Sequence, residues 1–452
     1  MFSILRRRLT RTPRSFFASS CCKTRRQLST SPYQHIDDVE TLDFYRPGGY
    51  HLIEIGERLR DRYVIVYKLG FGSYSTIWLA RDEQLARYVA IKVGVADHAS
   101  KEVGILNQLS ARAAENVHPG GRLIPMMLDR FNLDGPNGTH PCSVTAPARC
   151  NMAEALEAGS GPLQPRVARS LAAQLAMAGA YVHHLGYVHG DIHMGNILLQ
   201  LPSLDHLSAG QLCQEFNPPE PEPVVRVDGQ PLSPGVPPLV YPPIWLGKPG
   251  HEVTLPEAKL VLADFGTAFC PARESRFESY TPLSHASEIW SLGCVIWGML
   301  GVRPFLDSWL FGPDDATADQ VDALGPMPGE WWEAWDWRSK QFRENGKPKE
   351  GREVWSFEQR FHDAIQEPRR RSGLEAMSDP ERDALCEMIR GMLVFRPDGR
   401  LSAEEVLRSD WIRTYAIPEA EKTLGRRLLC DDPLSTNRRS IPYVQSTFGM
   451  SP

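Results

Sequence analysis

Whatever chemistry this chain performs must fall to a few polar side chains at regular spacing. In Tyr187-Val188-His189-Gly190-Asp191-Ile192-His193-Met194-Gly195-Asn196, Asp191 can accept a proton from an attacking hydroxyl. Asn196, five residues later, can offer an amide oxygen to a metal ion. Leu262-Ala263-Asp264-Phe265-Gly266 sets an aspartate at a strand end, where it can bridge metal to phosphate. Val89-Ala90-Ile91-Lys92 ends an apolar strand in a lysine, which is costly unless its ammonium meets a partner. Glu102 opens a run in which Ile105, Leu106 and Leu109 have helical spacing. A carboxylate there can hold Lys92 against phosphates, although Glu102 taken alone reads as a surface residue. Finally, Leu69-Gly70-Phe71-Gly72-Ser73-Tyr74-Ser75-Thr76-Ile77 lies between two strand-like runs. Its glycines let a turn close over phosphates, whereas by itself it would be an ordinary hairpin turn, and its third position is Ser75. Each cluster alone is weak. All of them in one order, each on the expected element type, are not a chance pattern.

The elements that must position these residues divide the chain. Residues 61–150 hold short β-type runs such as RYVIVYKL and RYVAIKV, while 163–201 and 286–412 are mostly helical in pattern. The predicted class is α+β, a small β-rich lobe followed by a larger helical one. The expected boundaries are a basic leader at 1–36, the small lobe at 37–150, the large lobe at 151–415 and a tail at 416–452. A Pro- and Gly-dense stretch at 202–257 reads as an insertion unable to sustain helix or central strand. Residues 338–352 read as a charged, solvated loop.

The composition of the 452 residues is ordinary for a globular protein, 42% apolar and 23% charged, which excludes a disordered or fibrous chain. A net charge of −5 argues against direct nucleic-acid binding as the main role. Residues 1–36 nonetheless carry eight basic side chains and no acid, a composition that fits a mitochondrial presequence or a basic tail. Pro13 limits any helix there to short pieces. Nine cysteines without a CxxC pair read as reduced intracellular thiols rather than a zinc module. No apolar run reaches the ~18 residues of a membrane span.

Together the quoted motifs resemble the eukaryotic protein-kinase fold. The entry ETLDFYRPGGYHLIEIGERLRDRYVIVYKLGFGSYSTIWLARD, the helix SEIWSLGCVIWGMLG and the closing FRPDGRLSAEEVLRSDWI are similar to SR-protein kinases, the divergent fungal branch in particular. The insertion between Asn196 and Asp264 sits where that family places its spacer. The resemblance covers roughly residues 40–415 and implies a bilobal kinase using ATP and Mg²⁺. It implies that the Leu69–Ile77 loop covers the ATP phosphates, that Lys92 pairs with Glu102, and that Cys142–Pro147 leads into the hinge that meets adenine. It also implies Asp191 as catalytic base and Asn196 with Asp264 as metal ligands. The implied partner is a protein substrate, with Arg/Ser-rich proteins as the finer expectation, and the implied location is nucleus or cytoplasm.

Four departures stand out. Gly190 replaces the arginine that pairs with a phosphorylated activation loop, so no switching by that route is predicted. His193 replaces the lysine that touches the γ-phosphate, and the H-G-D-x-H-x-G-N pattern also resembles aminoglycoside- and choline-type kinases. From Asp264 to Glu288 there are 24 residues, against roughly 35 or more in protein kinases, and no A-P-E. Arg400 is therefore predicted to lack its glutamate partner, and either the peptide platform is lost or the reading frame omits an exon. Glu288 stands where the family has a bracing aspartate, and its extra methylene is predicted to misplace that brace.

Between Arg303 and Arg338 lie eight acids and five tryptophans with no Lys or Arg. In SR-protein kinases an acidic surface in this region docks Arg-rich substrates; the plainer expectation is a solvated face with tryptophans packed beneath it. Three functions follow: a Ser/Thr protein kinase, a nucleotide-binding pseudokinase or scaffold, and a small-molecule phosphotransferase.

Overall fold

The computed structural model describes residues 31–97, 101–114, 118–278, 281–306 and 312–428. Most of the basic leader, part of the tail, and Asp307 and Trp309 of the acidic stretch lie outside them.

The small lobe is an antiparallel sheet of β1 (Arg58–Leu59), β2 (Tyr63–Gly72), β3 (Ser75–Asp82), β4 (Arg87–Gly94), β5 (Asp129–Gly135) and β6 (Gly138–Thr145), in the order β1-β2-β3-β4-β6-β5. One helix, α1 (Glu102–Ala114), follows β4, and its Ile105, Leu106 and Leu109 are buried as their spacing predicts. The middles of β2, β3 and β4 are buried at consecutive positions rather than at alternate ones. Such a run needs cover on both faces. One face packs Trp78, Val89, Ile91 and Val93 with Phe131 and Val144. The other packs Val66, Tyr67, Leu79 and Tyr88 against Leu204 and Leu212 of the 202–257 stretch.

That stretch is more ordered than its composition suggests. It holds a helix, two short 3-10 turns and a strand pair, and it lies against the small lobe although it departs from the large one. Its chain order is set by β7 (Ala148–Asn151), α2 (Met152–Glu157), α3 (Pro165–His184) and β8 (Ile197–Gln200), followed by α4 (Ala209–Phe216), β9 (Glu222–Pro223), β10 (Leu239–Val240) and β11 (Leu260–Leu262). Ser208 and Gln211 form a capping box that starts α4, against the sequence expectation of no helix. The segment leaves and re-enters at adjacent points, because Gln200 N donates to Lys259 O at 2.8 Å. Loop closure entropy grows only slowly with length, so so long an excursion is tolerated once its ends are fixed.

The large lobe is organised on α3, which is apolar on nearly all sides and so is buried in the core. Pro165 at its first position fits the N-terminal turn, where no amide partner is needed. Against it pack α5 (His285–Leu300), capped by Ser284 and Ser287, and the helices of 403–424. Helices α6 (Pro313–Leu324) and α7 (Gly329–Ala334) carry the acidic stretch. The chain thus has the bilobal α+β form. Among the described residues no helix is long and apolar enough to cross a membrane.

Candidate active site

The predicted residues converge between the lobes. β8 and β11 pair antiparallel with Ile197 opposite Leu262, and Ala263 N donates to Asn196 O at 2.9 Å. This register brings Asn196, just before β8, beside Asp264, just after β11. Asp264 takes φ 64°, a left-handed conformation that non-glycine residues seldom hold without reason. Its Oδ1 lies 2.8 Å from Lys92 Nζ, which also meets Glu102 Oε1 at 2.7 Å. The surface placement that Glu102 suggests in isolation is therefore not found; its side chain is 14% exposed and paired. Burial would lower the Lys92 ammonium, but the two carboxylates outweigh it and hold it above its ordinary value. Burial likewise acts to raise Asp264, and Lys92 overrides it, keeping the carboxyl below the usual range.

The loop around Asp191 is held from several sides. Asn196 Nδ2 donates to Asp191 O at 2.8 Å and to Asp191 Oδ2 at 3.2 Å. Those donations occupy the amide nitrogen and leave the Asn196 amide oxygen for another ligand. His193 Nε2 sits 3.5 Å from Asp191 Oδ2, and this contact, against the opposing effect of burial, lowers the Asp191 carboxyl and raises the His193 imidazole. His193 thus lies directly against the Asp191 carboxylate. His189, two residues before Asp191, is fully buried; its Nε2 donates to Ala263 O at 3.0 Å and its ring packs 4.7 Å from Phe265. Thr267 Oγ1 donates to His189 O at 3.0 Å. These contacts join the Asp191 loop to the Asp264 turn. A buried histidine beside the motif aspartate was the signal for them.

The Leu69–Ile77 loop is the β2–β3 hairpin, with Gly72 opposite Ser75 and Ser73-Tyr74 at the tip. A Cβ at Gly70 or Gly72 would meet nothing within 4 Å, so packing does not demand glycine there. Glycine at these positions leaves room for another molecule to approach the backbone. Ile77 is opposite Lys92 in the β3–β4 pairing, which sets the loop and the lysine on one face. β6 carries Cys142 to Thr145 alongside β4 toward the interlobe link at 146–147. Among the described residues no cluster of three or more His, Cys, Asp or Glu side chains could hold a metal alone. Asn196 and Asp264 offer hard oxygen donors of the kind Mg²⁺ takes when substrate phosphates complete its shell.

No family model matches the chain. A serine/threonine protein kinase of Aspergillus fumigatus is 25% identical over 406 residues, covering 83% of this chain and 90% of that protein. Protein kinase dsk1 of Schizosaccharomyces pombe is 34% identical over 180 residues, 38% of this chain and 33% of its own length. SRSF protein kinase 3 of Homo sapiens is 32% identical over 172 residues, 36% of this chain and 30% of its own. The chain is a homologue of serine/threonine protein kinases.

One expected defect of this kinase homologue resolves differently from its prediction. Glu288 does reach the Asp191 loop: its Oε2 accepts from Gly190 N at 2.8 Å and its Oε1 meets His183 Nε2 at 2.8 Å. The extra methylene is taken up rather than misplacing the brace. Burial would raise this carboxyl, yet the His183 hydrogen bond keeps it low. Gly190 at φ +82° permits that approach, and a Cβ there would lie 3.0 Å from Thr267 O. Arg400 has no carboxylate partner among the described residues, as the missing A-P-E predicts. It is nevertheless satisfied, donating to Val394 O at 2.6 Å, Ala286 O at 2.8 Å and Phe395 O at 3.1 Å, with its guanidinium 4.9 Å from the Trp290 ring centre.

The acidic stretch of the homologue is largely spent internally. Asp319 pairs with Arg360, Asp322 with Arg352, and Glu330 with Arg396. Asp314 accepts from Trp335 at 2.8 Å, and Asp315 accepts from Gly312 N at the start of α6. Trp332, Trp335 and Phe342 stack edge to face beneath it. This matches the plainer expectation of a solvated face over packed tryptophans.

Proposed function

We propose that this chain transfers the γ-phosphate of Mg-ATP to a serine or threonine hydroxyl of a protein substrate. The observation that carries this is the pairing of Lys92 with both Glu102 and Asp264, next to an Asp191 loop braced by Glu288. In this mechanism Lys92 holds the α- and β-phosphates, and the Leu69–Ile77 hairpin covers the nucleotide with its backbone amides. Asp191, kept ionised by its neighbours, takes the hydroxyl proton, and His193, whose imidazole Asp191 holds above its ordinary value, stands beside the transferring group. Asn196 and Asp264 would hold Mg²⁺, which when bound neutralises charge on the phosphates. Catalysis is then positioning and electrostatics.

Within this proposal the small lobe ends near residue 150 and the large lobe near 415. Arg/Ser-rich substrates are the finer reading, supported by the name of the human relative but weakened by the acidic stretch, three of whose carboxylates pair with arginines. The basic leader supports mitochondrial import, the family resemblance nucleus or cytoplasm. The test is transfer of labelled γ-phosphate from ATP to acceptor proteins, an Arg/Ser-repeat peptide among them, by the wild type and Lys92→Met. We expect transfer by the wild type and a loss of about a hundredfold or more in the variant. Equal nucleotide affinity and equal transfer in both would overturn the reading.

A further inference from the structure

The segment before β1 lies on the face of the small sheet opposite Lys92. Side chains alternate along strands, so Trp78, next to Ile77, faces away from the lysine. On Trp78's side Lys68 is fully buried with its Nζ 5.6 Å from the indole centre, and it pairs with the buried Glu40. Glu40 also accepts the Tyr45 hydroxyl, and the Tyr45 ring meets Tyr50 edge-on at 5.5 Å. This cluster ends at the glycine-rich loop: the Tyr50 hydroxyl donates to Gly72 O at 2.8 Å.

Tyr50 is itself fixed at both ends. Its ring is 3% exposed, and its carbonyl accepts from Asn137 Nδ2 at 2.8 Å. The turn that delivers it needs two glycines. Gly48 has φ +83°, and a Cβ on Gly49 would fall 1.8 Å from Phe44 O. The loop tip, by contrast, exposes Phe71 (41%) and Tyr74 (62%). Val95 N holds the Tyr74 carbonyl at 2.9 Å on one side, and Tyr50 holds Gly72 on the other.

A trans peptide is planar, with its C=O and N–H pointing in opposite directions, and there are no cis bonds here. Fixing the Gly72 carbonyl toward Tyr50 therefore aims the Ser73 N–H the other way, toward the face that carries Lys92. We propose that Tyr50 is a positioning residue for nucleotide binding, orienting the Gly72–Ser73 peptide so that the Ser73 amide meets a phosphate oxygen. The proposal rests on the ATP reading above. Burial, and then Glu40, push the Tyr50 phenol up to about 12, so it stays a donor at working pH.

The test uses the full chain and Tyr50→Phe, which keeps the ring and removes only the hydroxyl. Binding of the Mg complex of a non-hydrolysable ATP analogue is measured by calorimetry, with KM for ATP, KM for the acceptor protein, kcat and the melting temperature. Amide hydrogen exchange over residues 71–76 is followed without nucleotide. We expect nucleotide affinity to fall about three- to tenfold, the usual effect of one net hydrogen bond. KM for ATP should rise in step, the acceptor KM and melting temperature should hold, and exchange at the tip should quicken. Equal affinity in the two proteins overturns the proposal. So does weakening that comes with an equal rise in acceptor KM or a large drop in melting temperature, because Tyr50 would then be merely structural. A wild type that binds no nucleotide overturns the ATP reading instead, and unchanged exchange at 71–76 then overturns the Tyr50 assignment as well.

Discussion

Shortening Glu288 by one methylene is the sharpest test of how the Asp191 loop is held. Glu288→Asp restores the family's residue, so likeness alone expects it to be harmless. The geometry expects the opposite. The carboxylate is 4% exposed and makes two contacts of 2.8 Å, to Gly190 N and His183 Nε2. Withdrawing it by about 1.5 Å, one C–C bond, stretches both past hydrogen-bonding range. Hydrogen bonds to a charged group contribute about 1.5–3 kcal/mol each, so after partial relaxation we expect about 3 kcal/mol of lost stability. Spread over the roughly 385 described residues, at about 2.1 cal/mol/K each, that corresponds to a fall of about 4 °C in melting temperature. Release of Gly190 also frees the adjacent Asp191, and a displacement near 1 Å at a catalytic group can lower kcat by about a hundredfold. The assay pairs thermal melts with phosphate transfer at saturating ATP. A variant that melts within about 2 °C of the wild type would refute the argument that the backbone spacing is matched to glutamate.

Two further outcomes follow from burial. Burial, and then His140, push His51 down to about 4, against 6.5 when unfolded, so the unfolded chain alone takes up a proton between those values. The stabilisation is complete above pH 6.5 and is lost as pH falls toward 4; urea melts should show His51→Gln losing about 2.5 kcal/mol less than the wild type between pH 7.5 and 4.5, and equal losses would refute the assignment. Leu212 in α4 is fully buried against the small sheet, so Leu212→Ala should cost about 2–5 kcal/mol in a chemical melt, whereas a change under 0.5 kcal/mol would mean that the insertion is not part of the folded core.

The bilobal plan and the convergence of Lys92, Glu102, Asp191, Asn196 and Asp264 were legible because each depends on local signals: an apolar strand ending in lysine, a helical run, two short turns. The cover on the sheet was not. The strand RYVIVYKL announces burial on both faces, yet Leu204, Leu207, Leu212, Phe216 and Ile244, which supply one cover, are dispersed through Pro- and Gly-dense sequence. Ser208 and Gln211, a capping pair before Leu212, were the readable trace of α4. The pairing of Asp319, Asp322 and Glu330 was unreadable for another reason. Their arginines, Arg360, Arg352 and Arg396, lie 30 to 66 residues away, so the run looked uncompensated.

The same logic explains how a short activation segment can coexist with the proposed transfer centre. The Asp191 loop is seated by Glu288 and His183, on α5 and α3, and Asp264 is seated by Lys92 and the β8–β11 pairing. Residues 271–284, where a hairpin pairing Phe277 with Pro282 carries the chain to the Ser284 cap, add one contact there, Arg276 Nη1 donating to Thr267 O at 2.6 Å. Shortening that stretch therefore removes surface on which a peptide would lie while sparing the groups that handle phosphate. Arg400 adapts in the same direction. Three backbone carbonyls and the Trp290 face satisfy a guanidinium that would otherwise be a buried unpaired charge costing several kcal/mol. In the proposed mechanism the nucleotide half and the peptide half of the site are thus largely separable, and it is acceptor binding, more than phosphate chemistry, that the short segment should weaken.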